Sequence, residues 1–591
     1  MSLLAAFFAL AFAPVQAPTA ADVIAHVRKA VGYEKLEANP QGWQVTGSGR
    51  YFGESSKYDL LFSPSGEFVE RVVGPLGTTH AFDGKTAWEA DWTGATRTLA
   101  LRDRELTQAS MAFQTGLWLG PRSPFEASVV PDVDAGLVTL ELKVKGGVHA
   151  TRVEIDAKTW IPKREFYNGP AGECVTSLGD WRETAAGLLP HRVEVSEGGL
   201  TNTVSVGNVE RAPTFIRNPY ERLPWMAADT TFDASASPDV ELKRLATGHL
   251  MVHPTVNGKD VGWFLLDTGA GSMVIDPKVA DELAMPKVGE IPVVGVGGAL
   301  LGSFRLGEAF KLGPMEMRGS KYVEIDLAVL TRVFRTKIAG IVGYDLLRRA
   351  VLTLDLPGKT LQLQDPERYT LTTGSWTPLI LDGKHPIVEA RFEGDRRGMF
   401  RLDTGASGTV TLAGAVAKTL LEGRETRPAV LGGVGGILRA KTGTLEWFEL
   451  AGHRFEKPLV TFMEGETGAL SNAFLAGNIG QDFLLPFTLV FDYGHERIAF
   501  LPKAGVDQYP GWARPGPGLR LPVAASVPLA ARNRDGRGYV CTRHSPPRSA
   551  QLSTAPPLRH ASSASKSSSA RARPSVLRGV SARIPKAGNG S

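Results

Sequence analysis

The sequence WFLLDTGA at residues 263–270 recurs as MFRLDTGA at residues 399–406. In both copies a short apolar run ends at an aspartate, Asp267 or Asp403, and the chain then turns through Thr-Gly. An apolar run of this length predicts a buried strand. Because a carboxylate at the tip of a buried strand is costly to desolvate, a chain that places two there is expected to use them together.

Other elements repeat around these two motifs, in the same order and at nearly the same spacing. They are the Gly-Val-Gly-Gly elements at Gly295 and Gly433, the apolar-Gly elements ending at Gly343 and Gly480, and the hairpin strands 351–355 and 488–492. A fixed period of this kind indicates a duplication. We therefore expect residues 246–367 and 376–503 to be two copies of one β-rich lobe.

The two aspartates are suited to acid-base chemistry if the lobes bring them together. Two close carboxylates cannot both ionise easily, so at mildly acidic pH they share one proton. One carboxylate then accepts a proton from a bound water while the other donates a hydrogen bond to a scissile carbonyl. Because such a pair titrates as a unit, we assign roles to the pair rather than a fixed acid and a fixed base. The pattern predicts hydrolysis of an amide by water.

The residues around each aspartate fit this use. We expect the Thr268 and Thr404 hydroxyls to hydrogen-bond backbone across the lobe interface, and Gly269 and Gly405 to let the chain turn beneath the carboxylate. The Gly-rich elements lie between apolar segments, where the tip of a mobile hairpin closing over an extended substrate is expected. The predicted flap residues are Gly295, Gly297, Gly298, Gly433, Gly435 and Gly436.

Both lobes resemble retropepsin-type aspartic peptidases, in the form common among bacterial predicted aspartyl proteases. The resemblance rests on Asp-Thr-Gly-Ala at 267–270 and 403–406, on the Gly-rich flap elements and on the apolar-Gly elements. It implies that Asp267 and Asp403 are catalytic and that the tandem lobes form a pseudo-dimer within one chain. It also implies an extended polypeptide substrate and no metal or cofactor. Neither flap carries the aromatic residue of pepsin-type enzymes, so the retroviral type is the closer match.

The repeat is broken two residues before the second aspartate. Leu265 precedes Asp267 by two positions, whereas Arg401 precedes Asp403. Residues two apart on a strand share a face, so a guanidinium close to Asp403 would favour its ionised form and make the pair asymmetric. Alternatively, Arg401 points into a surface groove and leaves the chemistry unchanged.

Two further aspartates repeat without belonging to this site. Asp355 is followed by Leu-Pro-Gly, and Asp492 by Tyr-Gly. Both sequences are typical of turns, so turn formation is the preferred explanation.

Residues 18–222 show one short helical segment, residues 22–31, and then many alternating stretches typical of half-buried antiparallel strands. Residues 82–88 and 160–164 weakly resemble the curved half-barrel of periplasmic lipoprotein-carrier proteins. The resemblance implies a concave apolar surface that holds a hydrophobic ligand such as an acyl chain, or an extended peptide. The alternative is a structural β-sheet domain without a ligand. Residues 223–245, rich in Pro and small residues, are expected to be a linker.

The two ends of the chain have different compositions. Residues 1–17 contain an apolar run and a small-residue cleavage pattern, which predicts a signal peptide and export to the periplasm or outside the cell. No Lys or Arg precedes the run, and a buried N-terminal helix is the alternative. Residues 504–591 are basic and poor in apolar residues, so we expect a disordered tail whose positive charge outweighs the mildly acidic remainder and gives the whole chain its net charge of +5. Nucleic acid is not the expected partner, and no segment is long and apolar enough for a stable membrane span.

Other chemistries find no support. The two cysteines, Cys174 and Cys541, have no metal-ligand spacing with histidines, and the motifs of zinc peptidases, P-loop enzymes and serine hydrolases are missing. The sequence thus predicts a mainly β, two-lobed aspartic endopeptidase with an N-terminal β-sheet domain and no cofactor. The alternative is a noncatalytic exported protein that binds peptide or lipid and keeps an inert, protease-like cleft.

Overall fold

The computed structural model describes residues 18–131, 136–222, 224–295, 298–433, 436–465 and 472–505. These residues form mainly strands, as predicted. The predicted signal peptide, Gly297, Gly435 and the tail from residue 506 lie outside the described residues. Within them no helix is long and apolar enough to cross a membrane.

The N-terminal region forms one antiparallel sheet of thirteen strands that shares an apolar core with three helices. The strands are β1 (Trp43–Tyr51), β2 (Glu54–Phe62), β3 (Phe68–Val73), β4 (Thr78–Phe82), β5 (Ala87–Ala90), β6 (Thr96–Thr98), β7 (Phe125–Val130), β8 (Leu137–Val144), β9 (Ala150–Asp156), β10 (Pro162–Gly169), β11 (Gly172–Thr184), β12 (Gly187–Glu197) and β13 (Leu200–Arg211). Their order in the sheet is β6-β5-β4-β3-β2-β1-β13-β12-β11-β10-β9-β8-β7. Alternating residues such as Trp43 and Val45 are buried against the helices.

The helices are α1 (Ala20–Val31), α2 (Tyr33–Glu37) and α3 (Leu101–Gln114). Helix α1 begins at a capping box made by Thr19 and Asp22 and ends at Gly32 in the left-handed conformation. The expectation of a single short helix was wrong, because α2 and α3 were missed. The first half of α3 is mostly charged and polar, and its fully buried residues lie only between Ala109 and Phe113. It therefore lacks the periodicity that predicts a helix.

Lobe 1 is built from short strands and three short helices. Its strands are β14 (Thr230–Phe232), β15 (Asp239–Val240), β16 (Leu242–Arg244), β17 (Leu250–Val252), β18 (Thr255–Val256), β19 (Lys259–Asp260), β20 (Trp263–Leu266), β21 (Val274–Ile275), β22 (Lys287–Gly295), β23 (Gly298–Leu306), β24 (Ala309–Leu312), β25 (Met315–Arg318), β26 (Lys321–Glu324), β27 (Ile338–Val342), β28 (Val351–Asp355) and β29 (Thr360–Gln364). Its helices are α4 (Pro277–Glu282), α5 (Ala328–Phe334) and α6 (Tyr344–Leu347).

Lobe 2 repeats this arrangement. Its strands are β30 (Thr377–Pro378), β31 (Ile380–Asp382), β32 (His385–Phe392), β33 (Arg396–Asp403), β34 (Val410–Leu412), β35 (Arg427–Gly433), β36 (Gly436–Thr444), β37 (Trp447–Leu450), β38 (His453–Glu456), β39 (Leu459–Met463), β40 (Leu475–Gly480), β41 (Phe487–Asp492) and β42 (Arg497–Pro502). Its helices are α7 (Gly414–Leu420) and α8 (Gln481–Leu484). The strand pairs that carry the aspartates match, since β20 runs parallel to β27 as β33 runs parallel to β40.

The two lobes are joined within one chain by a shared sheet. The closing strands β28 and β41 pair antiparallel, with Val351 opposite Asp492 and Asp355 opposite Thr488. With their neighbours they form a six-stranded sheet in the order β15-β29-β28-β41-β42-β30. One apolar core runs through both lobes and includes Phe264 and Phe400 on the two aspartate-bearing strands.

The segment 223–245 differs from the predicted linker. Its strands β14, β15 and β16 pair with β25, β29 and β17 of lobe 1. The carboxylate of Asp229 accepts hydrogen bonds from Nε and Nη2 of Arg349, whose side chain is buried. The segment is therefore part of lobe 1, and its short strands are held by tertiary pairing that its composition does not reveal.

Candidate active site

The two Asp-Thr-Gly loops begin at the ends of β20 and β33, beside the Gly-terminated strands β27 and β40. Backbone hydrogen bonds fix each loop, from Tyr344 N to Ala270 O at 2.9 Å and from Gln481 N to Ala406 O at 2.8 Å. A Cβ atom on Gly343 would lie 2.4 Å from Ala270 O, and one on Gly480 would lie 2.3 Å from the carbonyl oxygen of Gly408. These distances explain why the apolar-Gly element recurs, since only glycine allows the loop to pass this close.

Thr268 and Thr404 lock the loops together across the lobe interface. The Thr268 hydroxyl accepts from Thr404 N at 3.0 Å and donates to Leu402 O at 2.8 Å. The Thr404 hydroxyl accepts from Thr268 N at 3.0 Å and donates to Leu266 O at 3.0 Å. Both threonines are fully buried. The structure therefore places the predicted hydroxyls at the lobe interface, where each uses both its donor and an acceptor position.

Gly269 and Gly405 lie beneath the carboxylate of the opposite lobe, whereas we expected each to lie beneath its own. A Cβ atom on Gly269 would lie 2.7 Å from the carboxylate of Asp403, and one on Gly405 would lie 2.4 Å from that of Asp267. A side chain at either position would therefore push the opposite aspartate away. The two glycines allow Asp267 and Asp403 to approach until the charge of Asp403 raises the pKa of Asp267.

The environment of Asp267 favours its protonated form. Burial raises the pKa of the Asp267 carboxyl well above its ordinary value, and the adjacent charge of Asp403 raises it further. The backbone N–H of Gly269, 2.7 Å from Asp267 Oδ1, opposes this shift. The pair therefore holds one proton over a pH range in which an ordinary aspartate is ionised.

The side chains packed beside the two aspartates differ between the lobes. In lobe 1, Leu265 on β20 lies opposite Ile341 on β27, and both are apolar. In lobe 2, the matching residues are Arg401 on β33 and Asn478 on β40. The Asn478 amide donates to Asp403 Oδ2 at 2.8 Å.

Arg401 is only 6% exposed, so it does not point into a surface groove. Burial lowers the pKa of its guanidinium, and the charges of Asp403 and Asp267 oppose that change. Its own charge in turn lowers the pKa of Asp267. Arg401 therefore acts electrostatically on the aspartate pair.

The Gly-rich elements form the ends of two hairpins. In lobe 1, β22 pairs with β23 up to Gly295 and Gly298, and in lobe 2, β35 pairs with β36 up to Gly433 and Gly436. Gly297 and Gly435, also predicted for the flaps, lie outside the described residues. The hairpins have the form expected of flaps, and their role in substrate binding stays a prediction.

The sequence reading missed a pair of histidines that lies at the site. His249 and His385 are separated by the same 136 residues as Asp267 and Asp403, so the repeat itself contained the signal. The pKa of His249 responds to the backbone of Gly405 and to the charge of Asp403, so its ring lies near the loop of the opposite lobe. A Cβ atom on Gly271, in the loop of lobe 1, would lie 3.7 Å from His385 Nε2 of lobe 2.

Each of these histidines therefore reaches the loop of the other lobe. Burial lowers the pKa of both imidazoles, and the charge of Arg401 adds to the effect at His385. Both shifts favour the neutral form of the imidazole, and the shift is larger at His385. In the described part of the chain, no group of His, Cys, Asp or Glu side chains could hold a metal ion.

Comparison with known proteins supports the assignment of lobe 1. Residues 252–346 match the model of the aspartyl protease family. This range includes Asp267, the flap hairpin of lobe 1 and Gly343. No curated protein matches the chain.

Two solved structures are similar to part of the chain. A LolA superfamily protein from Nitrosomonas europaea is 11% identical, covers 34% of this chain and 96% of its own, and has a TM-score of 0.25. A DUF1329 family protein from Desulfovibrio piger is 10% identical, covers 32% of this chain and 92% of its own, and has a TM-score of 0.23. TM-scores this low support no conclusion about the fold or the function of this chain.

Proposed function

We propose that this chain is an aspartic endopeptidase in which each lobe supplies one carboxyl group of a single site. The observation that carries the proposal is the mutual approach of the loops, in which Gly269 and Gly405 seat the opposite aspartates and the two threonines lock the backbone. Two carboxyl groups that share one proton can activate water without any further group.

The asymmetry of the pair suggests how the roles divide. Asp267, whose pKa is raised, carries the shared proton and donates it in a hydrogen bond to the scissile carbonyl oxygen. Asp403, which accepts from the Asn478 amide, takes a proton from the water that attacks the carbonyl carbon. As the water adds, the Asp267 proton passes to the carbonyl oxygen and a diol forms. Asp403 then protonates the amide nitrogen while Asp267 takes a proton from a diol hydroxyl, so the C–N bond breaks, both peptide products leave and the pair regains its starting protonation state.

The proposal is tested by incubating the full chain with a peptide library from about pH 3.5 to 7, in ordinary water and in ¹⁸O-labelled water. We expect internal cleavage, with one labelled oxygen in each new C-terminal carboxylate. Asp267→Asn should fold and fail to cleave. If the wild-type chain cleaves nothing at any pH, the proposal fails and the noncatalytic alternative, a protein that binds peptide or lipid, is favoured.

A second candidate function concerns the N-terminal sheet, which lines an apolar, partly open cavity of about 100 Å³. The side chains lining it include Val45, Leu60, Phe113 and Val204. We propose that it accepts the end of a hydrophobic ligand, since an apolar group that enters this apolar lining is removed from water. Calorimetric titration of the full chain with dodecanoate tests this. Binding that Leu60→Gln abolishes would support the proposal, and the absence of binding by the wild type would refute it.

The apolar run at residues 1–17 motivates a further proposal, that the protein acts in the periplasm or outside the cell. Fractionation of bacteria expressing the full chain, followed by N-terminal sequencing, checks this. The expected product starts near residue 18, and an uncleaved cytoplasmic protein would contradict the proposal.

A further inference from the structure

The two flaps are held differently. The first strand of the lobe 1 flap, β22, is half-buried over most of its length. In the lobe 2 flap, β35 is exposed at Arg427, Pro428 and Val430, and Val430 is 59% exposed. The flap of lobe 1 is therefore covered by something beyond its own hairpin.

A bulge in β22 turns the backbone of the lobe 1 flap outward. Val288 pairs with Phe304 and Glu290 pairs with Ser303, so Gly289 between them has no partner in the hairpin. Gly289 has a φ of 51°, in the left-handed region. The pairing of β35 with β36 runs without such a shift. A bulge of this kind frees backbone N–H groups from the ladder, and here they face the N-terminal sheet.

The hairpin between β1 and β2 of the N-terminal sheet accepts both of these N–H groups. Gly289 N donates to Glu54 Oε1 at 2.9 Å, and Glu290 N donates to Phe52 O at 2.8 Å. Phe52 itself has a φ of 51°, which is uncommon for an aromatic residue and orients its carbonyl toward the flap. A Cβ atom on Gly289 would lie 2.5 Å from both Phe52 O and Leu76 Cδ1, so only glycine fits.

Apolar contacts extend this attachment along the flap. Leu76 is 1% exposed and belongs to the same core as Leu265 and Phe304 of lobe 1. The rings of Phe52 and Trp92 lie 5.9 and 5.2 Å from that of Phe304. These contacts remove apolar surface from water and add to the two hydrogen bonds.

We infer that the N-terminal sheet is the positioning element of the lobe 1 flap, with Glu54 as its positioning residue. The flap of lobe 1 then forms a fixed wall of the peptide-binding cleft. The statement about peptides rests on the proposed function, whereas the difference in attachment does not.

Hydrogen exchange on the full chain tests the attachment without any assay of activity. We expect the amides of residues 287–295 to exchange more slowly than those of residues 427–433 in the wild-type protein. Glu54→Ala should raise exchange at 287–295 by about tenfold, as loss of a hydrogen bond to a charged group implies, and leave 427–433 unchanged. Glu126→Ala, at an exposed position on β7 of the same sheet, is the control.

Equal exchange in the two wild-type flaps would overturn the inference, and this comparison needs no variant. So would unchanged exchange at 287–295 in a folded Glu54→Ala protein.

Peptide hydrolysis gives a second readout. Glu54→Ala should raise KM by about tenfold with a smaller change in kcat. The reason is that the flap of lobe 1 is no longer held in place to bind the peptide, whereas the aspartate pair is unchanged. Glu54→Gln should restore the wild-type KM, since its amide oxygen accepts from Gly289 N. An unchanged KM in Glu54→Ala would contradict the inference. If the wild-type chain cleaves no peptide, the proposed function fails, and hydrogen exchange alone decides the attachment.

Discussion

Lobe 1 and lobe 2 have the same loop on the same pair of parallel strands, but the residues beside the two aspartates have diverged. The apolar pair Leu265 and Ile341 in lobe 1 corresponds to the polar pair Arg401 and Asn478 in lobe 2. The interlocking threonines, in contrast, make the same contacts from both sides. The duplicated chain has thus kept the symmetry that holds the backbone and lost the symmetry that sets the charges.

This difference has a chemical consequence. In a strictly symmetric pair either carboxyl can hold the shared proton, whereas here the burial of Asp267 and the Asn478 hydrogen bond to Asp403 distinguish them. A tandem chain can make this distinction, because its two lobes are encoded separately.

The largest expected effect comes from removing either carboxylate. Asp267→Asn and Asp403→Asn should each lower kcat/KM by about 10⁴-fold or more with little change in Tm, because neither lobe can replace the acid of the other. Steady-state hydrolysis checks this, with Asp355→Asn as the control. Asp355 also repeats between the lobes, but its carboxylate accepts from Gly358 N in a turn. Activity retained by one of the two site variants would mean that the lobes do not form one site.

The next largest effect is expected from the threonine contacts, which are the same from both lobes. Thr268→Ala and Thr404→Ala each remove two buried hydrogen bonds, so each should lower the free energy of unfolding by about 2–3 kcal/mol. The serine variants should lose much less. Urea unfolding measures both, and a difference of more than about 1 kcal/mol between the two alanine variants would show that the interlock is not two-fold.

A smaller effect is expected from Arg401, which occupies the position that Leu265 has in lobe 1. Because the charge of Arg401 lowers the pKa of Asp267, Arg401→Leu should raise that pKa and move the alkaline limb of the kcat/KM profile to higher pH. Arg401→Lys should leave the limb near its wild-type position. Arg397→Leu, on the same strand but exposed, serves as the control. An unchanged alkaline limb in Arg401→Leu would show that this arginine does not affect the ionisation of the aspartate pair.

The smallest effect is on stability and involves Asp382 of lobe 2. Burial, and then the charge of Asp103 on α3, raises the pKa of Asp382 to about 6. The folded state therefore holds this proton more tightly than the unfolded state, and the stabilisation is lost as pH rises through about 6.

Asp382→Asn, which cannot ionise, should reduce the fall in Tm between about pH 4 and 7 by a few degrees. Scanning calorimetry at several pH values tests this. Asp395→Asn, at an exposed position in the same lobe, should behave as the wild type. An identical pH dependence of Tm in the wild type, Asp382→Asn and Asp395→Asn would contradict the raised pKa of Asp382.

The sequence was sufficient to predict those parts of the fold and the site that depend on adjacent or repeated residues. The apolar run, the aspartate and the turn are adjacent in the chain, and their recurrence predicted the two lobes, the threonine contacts across the interface and the flap hairpins. The histidines His249 and His385 obey the same spacing and were open to the same reasoning.

The features that the sequence did not predict depend on contacts between segments that are distant in the chain. Gly289 and Glu54 are separated by 235 residues, and no local pattern connects them. The position of Gly405 beneath Asp267 likewise follows from how the lobes dock. Residues 223–245 have the composition of a linker, yet the strands of lobe 1 offer partners for their backbone.

The central claim is that Asp267 and Asp403 form one proton-sharing pair. Its most direct test is to titrate Asp267 by ¹³C NMR of its carboxyl carbon, assigned with Asp267→Asn, in the wild-type chain and in Asp403→Asn. We predict that Asp267 titrates well above the ordinary aspartate range in the wild type, and at lower pH once the charge of Asp403 is removed. An Asp267 that titrates at the same pH in both proteins would contradict the claim.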